Sequence, residues 1–324
     1  MSNNERYDGS SEKRPPLRTD GSETPDNGAS ARSLSALAQL SGVKLRSRRV
    51  VEGMLVGEHR GAGQGLAIEF AQLRPYTAGD ELRSIDWKVF ARTDKLHVRQ
   101  YEEDVDLSVY MLLDASAGMG YKGGASPLSK FEYAQVLAGV NAYLALGQND
   151  SASWAIYAAK TECSDSFRGL SQWASFVDSI EATSSARLLP RGDASISSAI
   201  TYALTQWKKK GLVLIFSDFF DEPESIESAL KKVSAMGHDC QIYQILDRDE
   251  LSFPFNNRTR FIDLESAFHR GLEVEPNELR QAYLNAMERH RSAIESICNA
   301  LEIGYRLAPT DVPVEQVLRR GGAS

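Results

Sequence analysis

The sequence predicts an α/β protein, a doubly wound and mostly parallel sheet preceded by a small turn-rich N-terminal subdomain. Three observations carry that expectation. Two apolar runs of strand length, Leu107–Leu113 and Leu212–Phe216, stop abruptly at an acid, Asp114 in one case and Ser217-Asp218 in the other. Further strand-like runs alternate with stretches whose apolar residues recur at helical spacing, the pattern of strands joined by crossover helices. Upstream of residue 105 this alternation is missing, and the chain is short-patterned and rich in turn residues.

Taken in order, residues 1–32 are dominated by Ser, Gly, Asn, Pro and charged side chains. They offer too little apolar surface to offset chain entropy and are expected to be a disordered tail. A short amphipathic helix on Leu34, Leu37, Leu40 and Val43 opens an N-terminal subdomain, residues 33–104, that holds the glycine cluster 61–65. The main domain spans 105–310. After its first strand, Ser129 and Glu132 form a capping-box pattern, and Tyr133, Leu137, Val140 and Leu144 continue a helix to Gly147. A strand at 153–158, a helix at 171–183 and a helix at 195–208 lead to the second acid-ended strand. Pro223 suits the first turn of a helix buried through Ile226, Leu230 and Val233. Gln241–Leu246 is the next strand and Phe261–Leu264 a short edge strand. Pro276 opens a long helix striped by Leu279, Tyr283, Met287, Ile294, Ile297 and Leu301, and Ile303–Leu307 is the last strand. Residues 311–324 read as a C-terminal tail.

The composition, 42% hydrophobic and 25% charged, suits a globular protein with a sizeable core. No apolar run approaches the roughly 18 residues of a membrane span, and the first residues lack the apolar region of a secretory leader. Three widely spaced cysteines, Cys163, Cys240 and Cys298, suggest reduced thiols. Together these features place the chain in the cytoplasm. A net charge of −7 argues against nucleic-acid binding, and the basic clusters at 44–49 and 208–210 lack interleaved aromatics. The five histidines show no ligand spacing, and no nucleophile elbow is present.

Ligands of open α/β sheets sit outside the carboxyl ends of the strands, where Asp114 and Asp218 are expected. Such acids commonly cap the following helix. With Ser116 and Ser217 beside them they also supply the oxygen donors that a magnesium ion prefers.

The strand-Asp-x-Ser turn and the later strand-Ser-Asp resemble the metal-ion-dependent adhesion site of von Willebrand factor A-like domains. A narrower resemblance rests on Leu73-Arg74-Pro75-Tyr76-Thr77-Ala78-Gly79-Asp80-Glu81-Leu82-Arg83-Ser84-Ile85-Asp86-Trp87-Lys88 and Ala91-Arg92-Thr93-Asp94. With Glu102-Glu103 and Ser217-Asp218-Phe219-Phe220, these are similar to the hallmark of domain-of-unknown-function family 58, over about residues 34–310. The resemblance implies a Rossmann-type A domain and a Mg²⁺ site on Asp114, Ser116 and Asp218. It departs from the pattern at Gly118 and Ala194, which stand where two hydroxyl ligands belong, so the site reads as degenerate. In the upstream stretch, Arg74, Tyr76, Asp80, Arg83, Asp86, Trp87 and Arg92 serve either as a structural clasp or as a partner-docking surface, since Arg, Tyr and Trp are the usual anchor types. Trp87 and Asp86 are the expected buried part and Arg83 the exposed part.

The expected function is a non-enzymatic protein-interaction module. Its relatives imply an adaptor acting with a MoxR-type AAA+ ATPase, with no nucleotide on this chain. The alternative is a metal-dependent hydrolase or phosphoryl-transfer enzyme using Asp114 and Asp218. A closed polar pocket with a third acid or a histidine beside them would favour that alternative.

Overall fold

The computed structural model describes residues 42–61, 72–75, 97–100, 107–184, 195–257, 259–262, 264 and 271–319. The first strand of the main sheet forms because an uninterrupted apolar run can be covered on both faces. It is β3 (Ser108–Asp114), and every one of its residues is buried. Alternate side chains go to opposite sides, as the two-residue period of a strand requires. Val109, Met111 and Leu113 join one core, and Tyr110 and Leu112 the other.

Around β3 lie β4 (Ser151–Tyr157), β7 (Leu212–Ser217), β8 (Asp239–Leu246) and β11 (Gly304–Pro309), in the order β11-β8-β7-β3-β4. All of these pair in parallel. Two short strands, β5 (Thr161–Cys163) and β6 (Phe167–Arg168), close the far edge by antiparallel pairing with β4. Neither was legible in the sequence, because two or three half-exposed residues leave no hydrophobic period to detect.

The helices divide between the two faces. On one side are α1 (Val43–Gly61), α2 (Lys130–Gly147), α3 (Trp173–Ser184) and the terminal α8 (Val314–Arg319). On the other are α4 (Ile196–Gln206), α5 (Pro223–Ala235) and the long α7 (Pro276–Ala300). The chain leaves β3 through α2 toward β4, and leaves β7 through α5 toward β8. Strands β3 and β7 are neighbours, so these opposite exits make their carboxyl ends the switch point of the sheet.

Several expectations are corrected. The basic cluster 44–49 belongs to α1, a 19-residue helix where a mixed, turn-rich stretch was expected, and Gly61 of the glycine cluster is its last residue. Val43, Val50 and Val51 bury, while Arg46 pairs with Glu132 at 2.8 Å and Lys44 with Asp178 at 2.7 Å. A side chain at Gly139 of α2 would collide with Ser47 of α1, so glycine there permits the two helices to approach closely. The expected short strand near 261 is β9 (Thr259–Ile262), which among the described residues pairs with β10 (Gly271–Val274) in an antiparallel ladder separate from the main sheet. Residues 311–319, read as tail, include α8, whose Val314 and Val317 are core residues. In the upstream region β1 (Gln72–Pro75) pairs antiparallel with β2 (His97–Gln100).

Candidate functional site

The register aligns Leu113 with Phe216, so Asp114 and Ser217 leave the sheet side by side. Both acids singled out from the sequence are here, Asp114 fully buried and Asp218 2% exposed. Among the described residues, Asp114 accepts from three neutral donors. Its Oδ1 accepts the backbone N–H of Ser116 at 2.9 Å, and its Oδ2 accepts the hydroxyls of Ser217 at 2.6 Å and Tyr157 at 3.0 Å. Ser217 Oγ in turn accepts the N–H of Phe219 at 2.9 Å.

Asp218 is held differently. Its Oδ2 accepts from Lys130 Nζ at 2.9 Å, and the same ammonium donates to Glu250 Oε1 at 2.7 Å. Lys130 is the first residue of α2 and is 1% exposed. Burial disfavours its charge, but the Asp218 and Glu250 carboxylates outweigh that and hold its pKa above the ordinary lysine range. Glu250 is pushed above the ordinary carboxylate range, first by burial and against the pull of Lys130. The two acids share this one ammonium.

A third strand-end acid completes the rim. Asp247 follows β8 and caps the one-turn helix α6 (Arg248–Ser252) in a capping box with Glu250. Its Oδ2 accepts from Gly123 N and from Thr310 Oγ1, both at 3.0 Å. A side chain at Gly123 would run into Asp247, so glycine lets the 121–124 loop lie against that carboxylate. Tyr121 donates to Asp249 at 3.4 Å, and burial together with Asp249 raises its phenol pKa.

The chain reverses direction just past Asp218. Phe219 takes a left-handed backbone, φ 58°, which costs a bulky residue of order 1–3 kcal/mol. That turn buries Phe219 and leaves Phe220 45% exposed. His290 reaches the Phe219 carbonyl at 2.9 Å and lies against Phe220, with ring centroids 5.7 Å apart. The Lys130 ammonium lies 5.2 Å from the centroid of the Phe220 ring.

The fit of a divalent ion can be judged from these donors. Ser116 Oγ is buried without a hydrogen-bond partner and would suit a ligand role. The carboxylates do not suit one. Both Asp114 oxygens hold protein donors, and Asp218 holds the ammonium at one oxygen and Phe220 N–H, at 3.3 Å, at the other. Among the described residues no group of three or more His, Cys, Asp or Glu is arranged to hold a metal ion. The third acid that would have favoured an enzyme is present as Glu250, but its oxygens bind Lys130 and the Asp247 N–H. The residues as they stand do not fit Mg²⁺, which asks for near-octahedral oxygen ligands at about 2.0–2.1 Å. Ser195 Oγ caps α4, accepting from Ser198 N at 3.2 Å.

Of the docking residues read from the sequence, Arg74 lies on β1, opposite Val98 of β2. Tyr76, Asp80, Arg83, Asp86, Trp87 and Arg92 lie outside the described residues, as does Ala194. Sequence reasoning missed Lys130, Asp247 and Glu250. The last two were detectable, since Gln241–Leu246 followed by Asp247 repeats the strand-then-acid pattern and Asp247 with Glu250 spells a capping box. Lys130 had no local signal.

A mostly parallel sheet covered by helices on both faces, with acids at the switch point, defines a doubly wound α/β domain. Residues 72–293 match the family "Protein of unknown function DUF58", and the chain belongs to that family. Uncharacterized proteins of Mycobacterium tuberculosis and Mycobacterium bovis are each 27% identical over 259 residues, 79% of this chain and 79% of theirs. Among solved structures, an aerotolerance-related membrane protein from Bacteroides fragilis is 16% identical, with a TM-score of 0.42 over 66% of this chain and 97% of that one. The SpRpn10 VWA domain is 12% identical, with a TM-score of 0.38 over 67% of this chain and 96% of that one.

The cytoplasmic placement expected from composition is withdrawn here. One of these structural neighbours is described as an aerotolerance-related membrane protein. Among the described residues no helix is long and apolar enough to cross a membrane.

Proposed function

We propose that this chain is a non-enzymatic protein-interaction module that acts with a MoxR-type AAA+ ATPase, the nucleotide being held by the partner. Phe220 is the observation that carries the reading. It is a half-exposed aromatic on the rim where A-type domains meet their ligands, fixed by the Phe219 turn and by His290. Exposed aromatics held in one conformation are the side chains that most often dominate a protein interface. The engaged carboxylates beside it favour recognition over turnover, because a hydrolase needs an acid or water free to react. The family resemblance supports the choice of ATPase. It also supports a second contact surface on Arg74, Tyr76, Asp80, Arg83, Asp86, Trp87 and Arg92.

Capture of a MoxR-type ATPase from the same source by the immobilised full chain tests the proposal. Phe220→Ala is expected to reduce capture at least tenfold with the fold intact, and Arg83→Ala to reduce it less. Undiminished capture by Phe220→Ala and by Asp114→Ala plus Asp218→Ala would sink the rim as the docking site. Hydrolysis of a phosphoester by the purified chain, lost with Asp218→Ala, would replace the reading with the enzymatic one.

A further inference from the structure

We infer that the Lys130 ammonium is the resident cation of this rim, so that Asp218 and Glu250 are bridged by a tethered lysine and the sheet's switch point takes no divalent ion. The inference concerns the chain's own charge balance and stands apart from the identity of any partner.

Lys130 is in a costly place unless it serves this purpose. A buried ammonium is strongly disfavoured without paired acids. At the first residue of α2 it also faces the positive end of the helix dipole, where a cation is unfavourable. Helix formation does not need it there, because Ser129 and Glu132 already cap α2 through a complete capping box. What holds it is the rim: Asp218 from the end of β7 at 2.9 Å and Glu250 from α6 at 2.7 Å. The Phe220 ring centroid lies 5.2 Å from the same nitrogen, and Lys130 is only 1% exposed.

The ammonium therefore joins three segments far apart in sequence, as a bound ion would. Its donors reach carboxylate oxygens at hydrogen-bond distance, whereas a magnesium ion would draw them to about 2.0–2.1 Å. An entering divalent ion would have to break the Asp218–Lys130 bond and sit within a few ångströms of a like charge that has no route to water. The second charge on the metal would then be opposed by the lysine rather than balanced by Glu250. The positive charge at the rim is thus permanent and independent of the surrounding metal concentration.

Two measurements on the full chain test this. Calorimetric titration with Mn²⁺ to millimolar concentration is expected to give no saturable heat, and the melting temperature is expected to be the same in Mn²⁺ and in EDTA. Lys130→Met should lower the melting temperature by about 10 °C, and adding Asp218→Asn should recover part of that loss by removing the orphaned charge. Saturable Mn²⁺ binding by the wild type that Asp218→Asn abolishes overturns the inference. So does a Lys130→Met chain as stable as the wild type, or a double variant that loses the full sum of the two single losses. Should Lys130→Met fail to fold, the wild-type titration decides alone.

Discussion

Asp114 and Asp218 occupy equivalent places, each at the carboxyl end of a buried parallel strand, yet the protein neutralises them by opposite means. Among the described residues, Asp114 accepts from a backbone N–H and two hydroxyls, from β4, β7 and the turn after β3. Asp218 meets a full positive charge brought in from the start of α2. Neutral donors spread a carboxylate's charge and can reorient when it is removed. An ammonium with 1% exposure cannot, and its loss leaves two acids facing each other. The first acid thus ties neighbouring strand ends together, and the second is a charged junction between the sheet and α2.

The comparison is broken most severely by Lys130→Met. Removing one partner of a buried ion pair costs about 4 kcal/mol, measured by urea unfolding. Asp114→Ala is expected to cost about 2 kcal/mol in the same assay, because it strands neutral donors, two of which are rotatable hydroxyls. A larger loss for Asp114→Ala than for Lys130→Met would reverse the assignment of which acid is the junction. Phe220→Ala, which uncovers the ammonium without removing any partner, should cost about 1 kcal/mol, read from the unfolding midpoint. The smallest effect is a pH dependence. Burial opposes the Lys130 charge, but Asp218 and Glu250 favour it more, so folding raises its affinity for the proton. Its stabilisation is complete below the ordinary lysine value of 10.5 and falls as the pH rises beyond it. At pH 10.5 the wild type should have begun to lose its advantage over Lys130→Met, checked by unfolding both chains at paired pH values.

The same contrast explains what the sequence made legible. Strand-ending acids announce themselves locally, as Leu107–Leu113 before Asp114 and Leu212–Phe216 before Asp218 show, and the alternation with helices then places both acids at one edge. The capping boxes at Ser129 and at Asp247 are local in the same sense. Lys130 is not. Its partners lie 88 and 120 residues away, and nothing within its own helix distinguishes it from an exposed lysine. The extent of α1 was missed for a related reason: its docking depends on Gly139 and Glu132 of α2, which only the folded chain brings against it. The half-exposed strands β5 and β6 are stabilised by pairing with β4 and carry no period of their own.

The central claim, a rim balanced by its own lysine, is tested most directly by paramagnetic NMR of the isotopically labelled full chain. Mn²⁺ is added in small steps while the backbone amide signals of Ser116, Phe219 and Phe220 are followed. The account predicts that these signals keep their intensity while amides near exposed surface carboxylates broaden first. Early and selective loss of the Ser116, Phe219 and Phe220 signals would place a metal ion between Asp114 and Asp218 and contradict it.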